Sequence, residues 1–79
     1  MKAEIITPQE SLYKGNANMV SLPGTYGAFE ILKNHAPIIS TLTKGDVIVV
    51  DTENNKHSFH IKSGLVEASD NMVWILAEL

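Results

Sequence analysis

Chain breakers recur along these 79 residues too often for a long helix. Together with the turn residues Asn54-Asn55 and Asp70-Asn71, Pro8, Gly15, Pro23-Gly24, Pro37, Gly45 and Gly64 give a turn signal roughly every ten residues, the spacing of a small sandwich or barrel. No run carries a sustained 3.6-residue apolar period. Several instead alternate: in His57–Lys62, Phe59 and Ile61 face one way, Ser58, His60 and Lys62 the other. Ala3–Thr7, Ser11–Lys14, Met19–Leu22, Phe29–Leu32, Ile38–Leu42, Val47–Val50, Phe59–Ile61, Leu65–Ala68 and Met72–Ala77 read as strands. The β-branched run Val47–Val50 reads as covered on both faces. Two hairpins turn at Glu53–Lys56 and Ser69–Asn71, where Asn tolerates the left-handed conformation of a primed turn. At Pro23-Gly24, Pro presets φ and Gly is expected to supply the positive φ of a type II turn. The fold expected is all-β, a flattened sandwich or barrel of about ten short, mostly antiparallel strands. Residues 1–79 form one domain. The strand pattern equally allows an OB-like barrel.

Composition narrows the function classes. The chain has no cysteine, so neither a disulfide nor a thiolate metal site can staple so small a core. Nine acidic and six basic residues give a net charge of −3, and the basic ones are scattered. That argues against nucleic acid and against a polybasic membrane anchor. No apolar run approaches the roughly 18 residues of a membrane span, and the N-terminus lacks a secretory signal pattern, so no direct membrane insertion is expected.

The sequence carries no catalytic constellation. His57 and His60 are three apart on a strand and point to opposite faces, so they do not converge on a metal. His35 reads as a loop histidine bonded to backbone. The carboxylates are dispersed, with no pair held at general acid–base spacing. Gly24-x-x-Gly27 is too short for a phosphate loop and is followed by neither Lys-Ser/Thr nor a helix. No catalytic residue, cofactor site or metal site is expected.

The last strand is apolar on both faces: Met72, Trp74 and Leu76 on one, Val73, Ile75, Ala77 and Leu79 on the other. An antiparallel sandwich needs one apolar face per strand, so something covers the second, either loops of the chain or a partner. Trp74 and Phe59 read as core.

The ordered set Pro23-Gly24, Gly27, Ile31-Leu32 and His35-Ala36-Pro37 resembles the signature of the epsilon subunit of the F-type rotary ATP synthase. The likeness continues through Lys44-Gly45-Asp46 and Ser63–Ala68 to Trp74–Glu78, and Gly15 follows a tyrosine where the family has an aromatic residue. Nearly the whole chain can be laid on that family's N-terminal β-sandwich domain. The resemblance implies a non-catalytic central-stalk subunit of a proton- or sodium-translocating ATP synthase. Such a subunit binds gamma and the c-ring and is held peripherally on the cytoplasmic face of an energy-transducing, bacterial inner membrane. It further implies a ring contact formed by Tyr26, Ala28, Glu30, Lys33 and His35 together. Ala28 departs from the carboxylate that family members often carry after this Gly. Val73 or Ile75 is expected to contact gamma. The family's C-terminal helical pair would begin where this chain stops; either a short form without the helical arm and its nucleotide site, or a shortened epsilon chain, would look like this. The alternative is a stand-alone β-sandwich or OB-like module that binds a small ligand or peptide.

Overall fold

The computed structural model describes all of residues 1–79, with no helix. Nine strands form: β1 (Lys2–Ile6), β2 (Ser11–Asn16), β3 (Met19–Leu22), β4 (Phe29–Leu32), β5 (Ile38–Leu42), β6 (Gly45–Val50), β7 (Lys56–Ile61), β8 (Ser63–Ser69) and β9 (Met72–Glu78). They make two facing sheets, a five-stranded one in the order β2-β1-β9-β8-β5 and a four-stranded one in the order β4-β3-β6-β7. All pairs are antiparallel except β1–β9, which joins the two ends of the chain in parallel, Ala3 beside Val73 and Ile5 beside Ile75.

The core follows from the two-residue period of each strand. Ala3, Ile5, Val66, Ala68, Val73, Ile75 and Ala77 point inward from the larger sheet. Val20, Leu22, Ile31, Val47, Val49 and Ile61 meet them from the smaller one, all at most a few per cent exposed. Val73 and Ile75 are fully buried. They cannot be the gamma contacts expected of them, because a side chain packed between the sheets has no surface left for a partner. The partner-free face of β9 is the other one. Trp74, expected in the core, stands on that outer face, 37% exposed beside Leu76 at 52%.

The covered strand of the sequence reading is covered on one side only. Val47 and Val49 are buried, but Ile48 and Val50 lie half-buried on the outer face of the four-stranded sheet. At one lateral edge of the sandwich, Tyr13 of β2 leans over the His57 and Phe59 rings of β7, at centroid distances of 5.2 and 6.5 Å. Burial first, and the nearby Asp51 charge second, hold the Tyr13 phenol above its usual range, so it stays neutral in this seam.

Both hairpin turns use the left-handed positions read from the sequence. Asp70 and Asn71 have φ of 50° and 59°, the signature of a type I′ turn, and Asn54 has φ of 64°. Gly24 differs: its φ is not positive. The turn it opens is closed by the Gly27 N–H donating to the Gly24 carbonyl at 3.0 Å, and Gly27 carries the positive φ, 132°. Gly24 is required for room. A Cβ there would stand 2.5 Å from the Gly27 carbonyl oxygen and 2.7 Å from the Phe29 ring.

Candidate functional site: an open sheet face and a clamped turn

The outer face of the five-stranded sheet carries a band of exposed apolar side chains, Ile39, Leu65, Trp74 and Leu76, among polar ones. Register sets its rows. One row runs Ile6, Leu76, Leu65, Thr41 across β1, β9, β8 and β5. The next runs Glu4, Trp74, Glu67, Ile39 across the same strands. Ile39 is 72% exposed, and Leu65 is also open to solvent. An open groove of about 670 Å³ starts at Pro8 and Ile6 and continues past Leu76 and Leu65 to Thr41. Monomers rarely leave large side chains contiguous and exposed in this way. The second apolar face of β9 is legible in the sequence, but the part that Ile6, Ile39 and Leu65 play beside it is not. The outward parity of their strands was the signal, and it acquires meaning only once those strands are known to be neighbours.

The residues expected to form one ring contact do not lie together. Strand β4 separates them. Tyr26 and Ala28 precede it, while Lys33 and His35 follow it. At about 3.3 Å per residue the two groups stand roughly 15 Å apart, at opposite ends of the sandwich. Glu30 lies between, exposed on the outer face of the four-stranded sheet opposite Ser21. The sequence places all five residues within ten positions, but a strand turns that proximity into distance.

Each end has its own support. The turn bearing Tyr26 is clamped to β5: the Thr25 N–H donates to the Thr41 carbonyl at 3.1 Å, and the Thr41 hydroxyl meets the Thr25 hydroxyl at 2.7 Å. Tyr26 projects from it, 98% exposed. At the far end, the Asn34 N–H donates to Asn71 Oδ1 at 3.0 Å, tying the His35 loop to the β8–β9 turn. The His35 Nδ1–H donates to the Ala36 carbonyl at 3.1 Å, the backbone bond expected of it, and its Nε2 is buried without a partner.

The other two histidines pair with carboxylates. His57 Nε2–H donates to Asp51 Oδ2 at 2.8 Å, and His60 Nδ1–H donates to Asp46 Oδ1 at 2.7 Å. Asp51 Oδ1 also accepts the N–H groups of Glu53 and Asn55, both at 2.9 Å, which fixes the β6–β7 turn. The His57 bond, then the Asn55 amide, hold the Asp51 carboxyl below its usual range. These are two-residue pairs, and no three His, Cys, Asp or Glu side chains gather to hold a metal ion. No helix is long and apolar enough to cross a membrane.

Comparison with known proteins supplies what this geometry alone does not. The family model for the β-sandwich domain of the ATP synthase delta/epsilon chain matches residues 1–79. The chain is 36% identical over 77 residues to the ATP synthase epsilon chain of Chlorobium limicola, covering 98% of this chain and 88% of that one. It is 37% identical over 78 residues to the epsilon chain of Leptospira interrogans, spanning 61% of that longer protein. Among solved structures, a chain of the Euglena gracilis mitochondrial ATP synthase superposes with a TM-score of 0.87 at 18% identity, over 95% of this chain and 48% of the other. A chain of the Tetrahymena thermophila mitochondrial ATP synthase, from its central stalk and c-ring, superposes with a TM-score of 0.82 at 16% identity, over 100% and 63%.

Proposed function

The chain belongs to the β-sandwich family of ATP synthase delta/epsilon chains, and from that premise we propose that it works in a rotary ATP synthase as the epsilon subunit of the central stalk. The observation that carries this reading is the family match along the whole chain, joined to 36% identity with an epsilon chain that it nearly spans. The subunit is non-catalytic. Its task is mechanical: to seat on the c-ring, hold gamma, and pass the turning of the ring to the stalk. It is held peripherally at the cytoplasmic face of the membrane by those partners. Two close-packed sheets suit this task, because a core at crystal-like density transmits strain where a loop would yield.

The proposal gives each partner a different surface. Gamma covers the outer face of the five-stranded sheet, through Leu76, Trp74, Leu65 and Ile6. An apolar centre of this kind is what a lasting interface needs. The c-ring meets the clamped turn, through Tyr26 and Ala28, with Glu30 beside them; a fully exposed aromatic on a rigid turn is a natural anchor. Lys33 and His35, at the other end, leave the ring contact. Single cysteines test both assignments in the assembled synthase. Cysteine at position 76 is expected to crosslink to gamma. Cysteines at 26 and 28 should reach the polar loop of the c subunit, and those at 33 and 35 should not. Crosslinking of 33 and 35 to the c subunit, with none from 26 or 28, would invert the molecule on the ring. A position 76 that never reaches gamma would remove gamma from this face.

A further inference from the structure

One row of the open face differs from the rest. Trp74 lies in register with Glu4 on one side and Glu67 on the other. Neighbouring strands are about 4.8 Å apart, so the two carboxylates straddle the indole at roughly 10 Å from each other. Neither carboxylate has a basic nitrogen within 4.0 Å: the carboxylates that do are Asp51, beside His57, and Asp46, beside His60. Lys14 faces Glu4 from β2 without bringing its nitrogen within 4.0 Å, and beyond Glu67 stands the apolar Ile39. Glu4 is moreover half-buried. Two unpaired carboxylates flank an exposed indole, on a face whose own cations, Lys2 and Lys14, form no ion pair with either, and together they form a receptacle for a cation: the ring face attracts positive charge and each carboxylate can accept its N–H groups.

We infer that the partner covering this face inserts one basic side chain over Trp74, between Glu4 and Glu67, with arginine preferred to lysine. The inference rests on the reading of this face as the gamma surface and adds the chemistry by which it is recognised. A planar guanidinium can stack on the indole while its edges reach both carboxylates, which an ammonium cannot do with one point charge. The neighbouring row of Ile6, Leu76 and Leu65 supplies apolar contact that excludes water. Desolvation strengthens the charged row, and Trp and Arg are the residues most often found at such energetic centres.

The test measures binding of the whole subunit to purified gamma from the same organism, over a series of salt concentrations. The double variant Glu4→Gln/Glu67→Gln is expected to bind at least tenfold more weakly, with a flatter salt dependence. Glu67→Lys should be weaker still. Trp74→Leu, which keeps an apolar side chain but removes the ring, should lose several-fold. Leu76→Asp serves as the reference for the face itself, and circular dichroism of each variant checks that it is folded. If Leu76→Asp abolishes binding while the double Gln variant stays within twofold of the parent, or weakens with an unchanged salt slope, the cation receptacle is wrong and the gamma face stands. If folded Leu76→Asp binds normally, both readings fall.

Discussion

At the scale of single residues, the Asp51 carboxylate shows how a turn is held by charge. Its two oxygens take three hydrogen bonds, two from backbone N–H groups that a turn would otherwise leave to water. The charged form is the better acceptor, so folding lowers this group's pKa. A lowered folded-state pKa means that the contribution is complete above the ordinary value of 3.8 and is lost as pH falls through the depressed one. Asp51→Asn is therefore expected to lower the urea midpoint near neutral pH, and the gap to the parent should close as pH drops below 3.8. A gap that persists undiminished at the acid end would mean that the turn depends on the shape of the side chain and not on its charge.

At the scale of elements, β9 is the strand on which packing and partner binding divide. It lies between β1 and β8, and its side chains alternate between a sealed face and an open one. An aspartate at Val73 would bury an unpaired carboxylate among Ala3, Ala68 and the facing sheet. The cost of several kcal/mol is comparable to the whole stability of a small domain, about 5–15 kcal/mol. Val73→Asp is expected to unfold the protein, whereas Leu76→Asp, three positions along the same strand, should leave its melting temperature within a few degrees. Equal melting temperatures for the two variants would contradict the parity of β9.

The whole molecule is closed by a parallel ladder between its first and last strands, flanked by antiparallel ones. Such a topology puts the most distant parts of the chain in contact, so the larger sheet cannot be completed until β9 is in place. Burial of Val73 and Ile75 contributes about 3–6 kcal/mol by itself, and β9 also completes two ladders. A chain ending at Asn71 is expected to lose the β-sheet circular dichroism and the amide dispersion of the folded protein. Native-like spectra from that truncated chain would show that the four-stranded sheet and β8 can hold a fold without it.

The order of residues alone determined the all-β class, the two hairpin turns and the family, though not the turn at Pro23-Gly24. Those depend on local chemistry: Asn and Asp at left-handed positions, turn signals roughly every ten residues, and a short motif from Pro23 to Pro37. A period of two also divides β9 into its two faces without any structure. It cannot say which face turns inward when Val73, Ile75 and Ala77 oppose Met72, Trp74 and Leu76, since both are apolar. That choice was made by neighbours remote in sequence. The compact, branched set packs beside Ala3, Ile5, Val66 and Ala68, and the larger side chains are left outside, where the space is not limited. Tyr26 and His35 carry the same lesson. Motif spacing measures distance along the chain, and only the extended backbone of β4 between them sends one to each end of the sandwich.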